Sequence, residues 1–283
     1  MVNLSQIAIG DTSAQGKPVT LPIPSITADQ YSRPSTITVN LPSGAGKTEV
    51  LIPMNRMTTG TVVSMVHPNG TEEIIPQSRQ TSAGLVVSLS GSANLKVMDN
   101  AKAFTDVKPN DWFYTAAEFV TSRKLFSGIT PTTFGPNEPM TMEMLLTVAH
   151  NYMGKPRAKG GSVTGVNAGD WFYSSANWAA ENGLTKGLDL SQMGKHQAIT
   201  REDTAVVLYN LSGQKDFIPK EETLLKLNAF TDLTDRTPAK LRALAWVLEK
   251  GIMSGMGDGT FGFKLNNTRA QTSAVMMNFN NKR

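Results

Sequence analysis

The 283-residue chain contains no cysteine, which excludes disulfide bonds, thiol catalysis and cysteine-ligated metal sites. It has three histidines, His67, His150 and His196, and none has a partner at the spacing of a His-x-x-x-His or His-Glu-x-x-His metal site. No Gly-x-Ser-x-Gly nucleophile elbow occurs. Two adjacent glutamate pairs have the pattern of solvated charges, although sequence does not exclude a distant carboxylate pair. We therefore expect no enzymatic activity, metal or cofactor.

Long apolar runs are also absent. No apolar stretch approaches the roughly 20 residues of a membrane span, so we expect no membrane-spanning helix. The opening "MVNLSQIAIGDTSAQG" has no basic start and no long apolar segment, so we expect no export signal in it. The alternatives are a cytoplasmic protein, or the mature or excised part of a longer one.

The first third of the chain has no excess of either positive or negative charge. Residues 1–99 hold six basic and six acidic residues, so the whole net charge of +4 belongs to residues 100–283. This mild excess favours an anionic partner. It is too dilute for a nucleic-acid footprint, which concentrates Lys and Arg on one face, so we expect no nucleic-acid partner.

One stretch, "PSGAGKTEV" at residues 42–50, is similar to a phosphate-binding loop. Leu41 stands where that loop needs its first glycine, and no helical pattern follows. Ile37, Val39 and Leu41 alternate like a strand. The pattern predicts a β-hairpin rather than a nucleotide site.

Residues 20–99 read as a small all-β, sandwich-like domain after an N-terminal tail at residues 1–19. Short alternating segments lie between turn signals, and Asn69-Gly70 is typical of a tight hairpin. No cluster of chemical groups marks a site here. A spacer, a carbohydrate-binding module and a packing module all remain open.

The rest of the chain repeats itself. The Asp-Trp-Phe-Tyr motif of residues 111–114 recurs at 170–173, and further matches continue at a second offset. We predict three copies, at residues 100–159, 160–225 and 226–283. Each has a first helix, a glycine turn and a second helix. Two short helices cannot bury their apolar faces alone, so we expect the copies to share a core.

These motifs resemble the S-layer homology (SLH) domain. The matching elements are "FTD", "DWFY", "AAENGL", "GIMSGMGDGTFGF" and "TRED" or "TRAQ", the last two standing where the family usually has Thr-Arg-Ala-Glu. The resemblance covers about 180 residues. It implies a mainly α, pseudo-threefold trimer of helix-loop-helix repeats with grooves between them. The β domain looks like one that precedes such triplets in Gram-positive surface proteins.

The resemblance also implies a partner and a place. The grooves of the family hold a secondary cell-wall polysaccharide, typically bearing a negatively charged pyruvate ketal, without a covalent bond. We therefore expect an extracellular cell-wall or S-layer protein that anchors itself through an anionic glycan. The chain does not close with a Leu-Pro-x-Thr-Gly sorting signal, which agrees with non-covalent attachment.

The starts of the second helices suggest how an anion is held. Thr200 and Thr268 are predicted N-caps, closed into capping boxes by Asp203 and Gln271 respectively.

The residue after each cap is a cation. Arg201 and Arg269 would lie at the positive end of a helix dipole, which is unfavourable by several tenths of a kcal/mol, about 0.3–1. An anion nearby would offset this. It could be an intramolecular carboxylate, such as Glu202 or Asp258, or a ligand carboxylate on free helix amides. The resemblance favours the ligand.

Glycines and aromatics complete the predicted site. Gly187, Gly255 and Gly257 would let backbone N–H groups approach a sugar, with Asp258 in the same loop, although a simple turn explains them equally well.

The four tryptophans divide into two pairs. Trp178 and Trp246 lie off the apolar stripe of the first helices, so we expect them to face a groove or a neighbouring copy. Trp112 and Trp171 are expected to be packing anchors.

The first copy departs from this pattern. Met142 and Met144 stand where the family has Arg and Glu, so its groove should bind an anion weakly or not at all. At most two of three grooves would be competent.

Two alternatives to anchoring stay open. One is an S-layer subunit that self-associates without strong polymer binding. The other is the non-catalytic part of a surface carbohydrate-active enzyme.

Overall fold

The computed structural model describes residues 18–21, 36–161, 163–191 and 193–282. Most of the predicted N-terminal tail therefore lies outside the described residues, as does the part of the predicted β domain between 22 and 35. In the part of the chain that is described, no helix is long and apolar enough to cross a membrane.

The chain forms two compact units. The first holds the described residues as far as Phe104, together with Glu118–Ser127. The second holds Thr105–Ala117 and the described residues from Gly128 onwards.

The described residues of the first unit form eight strands arranged in two sheets. The strands are β1 (Val19–Thr20), β2 (Ile37–Val39), β3 (Thr48–Pro53), β4 (Thr61–Val66), β5 (Glu72–Ile74), β6 (Arg79–Thr81), β7 (Gly84–Leu89) and β8 (Ala93–Asp99). One sheet has the order β1-β3-β7-β6 and the other β2-β8-β4-β5. Only the β1–β3 pair is parallel among the described strands.

The two sheets share one hydrophobic core. Side chains of β3 alternate between buried and half-buried, and Val50 lies opposite Val87 of β7. Val63 of β4 and Leu95 and Val97 of β8 belong to the same buried cluster. Because both sheets contribute alternate residues to one core, they pack as a small sandwich, as the sequence predicted. The phosphate-loop-like stretch is the β2–β3 connection and the start of β3.

The second unit contains most of the helical structure. The part of the chain that the structure describes has seven helices: α1 (Tyr114–Ser122), α2 (Met142–Tyr152), α3 (Tyr173–Glu181), α4 (Arg201–Ser212), α5 (Glu221–Ala229), α6 (Pro238–Glu249) and α7 (Arg269–Lys282). The second helix of one copy packs on the first helix of the next, since α2 contacts α3 and α4 contacts α6. The apolar faces are thus buried between copies, as expected for short helix pairs.

The prediction of a mainly α pseudo-threefold trimer is wrong. About 31% of the described residues are helical and about 17% lie in strands or bridges, so the chain is a mixed α and β protein. Helical periodicity in the sequence marks the helices but not the loops between them. Those loops are long and are fixed by hydrogen bonds to side chains: Asp232, for example, accepts the N–H groups of Phe261, Gly262 and Phe263.

Three backbone hydrogen bonds close a ring at the start of the second helices. Met140 N–H donates to Asn267 O at 2.9 Å, Asn267 N–H to Ile199 O at 3.0 Å, and Ile199 N–H to Met140 O at 2.7 Å. Each of these residues comes one position before an N-cap threonine. The ring therefore fixes the origins of α2, α4 and α7 relative to one another.

The first amides of α4 are already bonded within the protein. Arg201 N–H donates to Leu265 O at 2.9 Å and Glu202 N–H to Phe263 O at 3.1 Å. Asp203 N–H donates to Thr200 Oγ1 at 3.1 Å, which confirms the predicted cap. The expectation that this helix start offers free amides to an anion is wrong, because neighbouring loop carbonyls take them.

The start of α7 has the same arrangement. Arg269 N–H donates to Glu138 O and Ala270 N–H to Pro136 O. Thr268 and Gln271 form a complete capping box: Gln271 N–H donates to Thr268 Oγ1 at 3.3 Å, and Thr268 N–H donates to Gln271 Oε1 at 2.9 Å.

The Thr200 cap gives a direct stability test. We expect Thr200→Ala to lower the free energy of unfolding by about 1 kcal/mol, because Asp203 N–H and the Asp203 carboxylate lose their partner. Thr200→Ser keeps the hydroxyl and should retain most of the stability in urea unfolding followed by circular dichroism. Equal losses in both variants would show that the methyl packing, and not the cap, carries the effect.

Candidate functional site

A groove of about 830 Å³ opens in the second unit. A face of α5 lines it, together with Gln271, Ala274 and Asn278 of α7. Residues at the end of α6 and in the glycine loop that follows also belong to the lining, as does Trp112 of the first copy. The groove therefore combines elements of all three copies.

The exposure of the four tryptophans is the reverse of the prediction. Trp112 is 68% exposed and Trp171 is 59% exposed, so the prediction that they are packing anchors is wrong. Trp178 is buried and stacks on the His150 ring at 5.0 Å, while Trp246 is 1% exposed and contacts Tyr209. Helices α3 and α6 turn their indoles inward, because α2 covers α3 and α4 covers α6. Trp178 and Trp246 thus have no exposed face for a sugar ring.

Arg201 lines the groove but is committed to its wall. Its Nε donates to Phe261 O at 3.0 Å and its Nη2 donates to Ser254 O at 2.7 Å. The guanidinium lies over the Phe261 ring, 5.0 Å from its centre. Only 9% of the residue is exposed. Arg201 therefore joins the start of α4 to the loop of the next copy.

The charge of Arg201 is balanced by a carboxylate across this junction. Burial lowers the pKa of the guanidinium, and the negative charge of Asp232 acts in the opposite direction. The group stays cationic, as arginine does throughout proteins. Neither intramolecular partner expected from the sequence is used: Glu202 pairs with Lys240 and Lys264, and Asp258 accepts from Thr260 at 2.9 Å.

Arg269 repeats this arrangement towards the first copy. Its Nε donates to Phe134 O at 2.9 Å, and its guanidinium lies 4.8 Å from the centre of the Phe134 ring. It is 7% exposed. Burial lowers the pKa of Arg269, and the charges of Asp106 and Glu138 act against that. Both arginines are thus built into the joints between copies.

Asp106 and Asp232 hold the loops on which the arginines rest. Asp106 accepts the N–H groups of Phe134 and Gly135 at 2.8 and 2.7 Å. For Asp232, burial acts to raise the pKa, but three backbone N–H groups outweigh it and hold the pKa below its usual range. The same balance lowers the pKa of Asp106. These carboxylates are therefore ionised in the folded protein at neutral pH.

The joint between the first and second copies lacks both charges. Met142 replaces the arginine, and Gly165 replaces the aspartate. Gly194, the counterpart of Gly135 and of the glycine at 262, donates its N–H to Glu143 Oε1 at 2.7 Å. A carboxylate from the first copy thus takes over the loop contact that an aspartate makes elsewhere.

The predicted glycines have different positions. Gly255 lines the groove, and a Cβ there would come within 2.7 Å of the Phe230 ring. Gly257 has a φ of +90° with open space around it, whereas Gly187 lies outside the groove lining. Asp258 and Asp203 make local turn and cap contacts and do not line it. Of the three glycines predicted from the sequence, only Gly255 therefore lines the groove; Gly251 and Gly259 line it as well.

Charged side chains of α5 and α6 complete the lining. Lys220 pairs with Glu222 at 3.9 Å, and Lys220 N–H donates to Glu249 Oε1 at 2.7 Å. Lys226 also lines the groove. With Arg201, the lining carries three cations and two carboxylates, so the groove is cationic by a small margin.

Sequence reasoning missed Trp112, Phe230 and the α5 residues of this groove. One signal pointed to α5: the copies are 59 residues apart from Gly128 to Gly187 but 68 apart from Gly187 to Gly255. No pattern of single residues distinguished Trp112 from Trp178. The exposure of an indole depends on which neighbouring helix covers it, and the repeat pattern does not state that.

Comparison with known proteins identifies the repeats. The S-layer homology domain matches residues 103–141 and 229–272, which include the loops held by Asp106 and Asp232. Two regions of the chain are therefore similar to this domain. The matched regions fall in the first and third predicted copies. The predicted boundaries of the copies stay a prediction.

Relatives of the chain include surface proteins and enzymes. It is 27% identical over 179 residues to an amylopullulanase of Thermoanaerobacterium thermosulfurigenes, covering 62% of this chain and 9% of that protein. It is 24% identical over 195 residues to an endoglucanase of Bacillus sp. (strain KSM-635), covering 68% and 20%. It is 27% identical over 135 residues to the surface-layer 125 kDa protein of Lysinibacillus sphaericus, covering 45% and 11%.

The chain thus spans between about a tenth and a fifth of the length of these relatives. The S-layer homology domain, which these two regions match, is a module that binds cell-wall polymers at the cell surface. Among the described residues, no cluster of three or more metal-ligating side chains is present.

The Asp232 contact predicts a pH dependence of stability. Because the folded-state pKa is lowered, the contribution is complete above the unfolded value of about 4 and is lost as the pH falls through the folded value. We expect Asp232→Asn to cost about 1–3 kcal/mol at pH 7 and progressively less below pH about 4.

The measurement is the free energy of unfolding of both proteins between pH 2.5 and 7. Asp216→Asn, at an exposed position, is the matched control and should differ from the unmodified chain by a small, constant amount. A constant Asp232→Asn difference across this range would contradict the proposed ionised contact.

Proposed function

We propose that the groove holds an acidic secondary cell-wall polysaccharide and anchors the chain to the wall without a covalent bond. The observation that carries this proposal is an exposed tryptophan, Trp112, in the lining of a cationic groove, in a chain with two regions similar to a cell-wall-binding domain. A pyruvate ketal on the glycan would supply the negative charge.

Trp112 gives the groove a platform for a sugar ring. Its indole makes an edge contact with Phe113, with ring centres 5.5 Å apart, and leaves most of its own surface exposed. A large flat ring buries considerable apolar area at little conformational cost, and the C–H face of a pyranose is apolar. Gln271 also lines the groove. Its Oε1 accepts the Thr268 N–H, and its side-chain NH₂ would donate a hydrogen bond to a sugar hydroxyl group.

Arg201 contributes positive charge and shape to the groove. Its buried guanidinium fixes the Ser254 and Phe261 carbonyls, so the loop wall is in place before a ligand arrives. We assign the same structural role to Arg269. Because both side chains are buried and hydrogen-bonded, replacing them by alanine would disturb the fold as well as binding.

Binding should be weak at the joint between the first and second copies. Met142 supplies no cation there, and the Glu143 carboxylate lies against the Gly194 loop. An acidic glycan would meet negative charge at this position. We therefore propose no more than two competent grooves, on a non-catalytic cell-surface module in which the β domain serves as a spacer.

Purified cell walls test this function, with two equivalent tryptophans as a matched pair. We expect the chain to pellet with walls of Lysinibacillus sphaericus and not with walls whose accessory polymer has been removed by hydrofluoric acid. Trp112→Ala should weaken pelleting about tenfold or more, because the platform is lost. Trp171→Ala removes an equally exposed ring outside this groove and should bind normally.

Equal binding to treated and untreated walls would contradict polymer recognition. Equal losses in the two tryptophan variants would contradict the placement of the site in this groove.

Self-assembly is a second candidate, favoured by the likeness to the surface-layer 125 kDa protein. Exposed apolar residues such as Ile218 and Leu225, 84% and 64% exposed, would serve it. Sedimentation velocity across a hundredfold range of concentration would then show association that Leu225→Gln reduces. A constant sedimentation coefficient would exclude self-association under those conditions.

A further inference from the structure

The third copy is preceded by an insertion that forms a complete helix. The spacing of equivalent glycines is 59 residues from Gly128 to Gly187 and 68 from Gly187 to Gly255, a difference of nine. Helix α5, Glu221–Ala229, is nine residues long. The described residues before α3 contain no corresponding helix. Helix α5 therefore supplies a wall to this groove. The 59-residue spacing between the first two copies leaves no room for an equivalent helix.

Helix α5 is fixed in place by contacts at both its start and its middle. Thr223 and Leu227 are 4% and 1% exposed, and α5 packs on α6. Lys220 N–H, just before the helix, donates to Glu249 Oε1 at 2.7 Å. A side chain on such a helix is presented to a ligand from a defined position.

One face of α5 is turned towards the groove. Glu222, Thr223, Lys226 and Ala229 line it, and their spacing is that of neighbours on a helix surface. Phe230 continues the same wall. This face of α5 carries one acidic side chain, Glu222, and one basic side chain, Lys226.

The cations of the groove are not equally available. Arg201 is bonded to two carbonyls and buried, and Lys220 pairs with Glu222 at 3.9 Å. Lys226 is exposed, and among the described residues no carboxylate oxygen lies within 4.0 Å of its Nζ. Of the three groove cations, Lys226 is therefore the exposed one for which the described residues supply no carboxylate oxygen within 4.0 Å.

We propose that Lys226 is the specificity-determining residue that pairs with the acidic substituent of the glycan, while Arg201 is a positioning residue that holds the loop wall. This inference rests on the proposed function of the groove. It assigns selection for acidic over neutral glycans to the inserted helix rather than to the repeated motif. An ammonium on a flexible stem can follow a carboxylate on a sugar without requiring the bidentate geometry of arginine.

The test compares an acidic polymer with its neutral form. Polymer extracted from Lysinibacillus sphaericus walls is titrated calorimetrically into the chain, before and after chemical reduction of its carboxyl groups. Lys226→Gln should weaken binding of the acidic polymer about tenfold and leave binding of the reduced polymer unchanged. Glutamine has nearly the helix propensity of lysine, so α5 should persist.

Two further variants bracket the result. Lys226→Arg should retain the preference for the acidic polymer. Lys250→Gln, which removes an exposed lysine beside the groove but outside its lining, should change nothing. Each variant is checked for an unchanged melting temperature.

The outcomes separate the inference from the proposed function. If the unmodified chain prefers the acidic polymer and Lys226→Gln keeps that preference, the Lys226 assignment is wrong and the groove function stands. An equal loss for both polymers would also overturn the assignment, because Lys226 would then act through shape. If the unmodified chain binds neither polymer, both proposals fail.

Discussion

The second unit depends on three backbone hydrogen bonds that join Met140, Asn267 and Ile199 in a ring. Main-chain atoms form the ring, so its hydrogen bonds do not depend on which side chains each copy has at these positions. A main-chain hydrogen bond that is shielded from water is also costly to break without replacement. The ring therefore fixes where α2, α4 and α7 begin, and every other joint between copies is built outward from those starts.

The ring limits the chemistry available to a ligand. It brings the carbonyls of the neighbouring loops close to the first amides of α4 and α7, and those amides are consumed. A helix start usually attracts anions through free N–H groups. Here those N–H groups are bonded within the protein, so the proposed acidic glycan would have to be recognised by side chains further from the helix starts. We propose Trp112 and the exposed lysine of α5 for this role.

Sequence alone predicted the features that are local or repeated. The N-caps Thr200 and Thr268, the β-sandwich and the resemblance to the S-layer homology domain all rest on short patterns with a direct physical meaning. The roles of Trp112 and Trp246 were reversed, because exposure is set by packing between copies. The fold class was misjudged because the loops, which carry no periodicity, hold much of the second unit.

Arg201 shows most clearly where motif reasoning stops. Its position next to a helix dipole indicated a missing anion, and that inference was sound. The structure balances it with the charge of Asp232 and two carbonyls, which lie 31, 53 and 60 residues away in sequence. No spacing rule connects such residues, since the contact exists only once the ring has brought two copies together.

The joint between the first and second copies shows that arginine and aspartate act as one unit. A buried guanidinium without a nearby negative charge, or a loop carboxylate without its cation, would carry an uncompensated electrostatic cost. The chain has lost both together, at Met142 and Gly165, and Glu143 has taken over the loop N–H of Gly194. The motif in the other copies is therefore first a device for joining copies. In the proposed binding site, further residues, such as Trp112 and the inserted helix α5, are added to that joint.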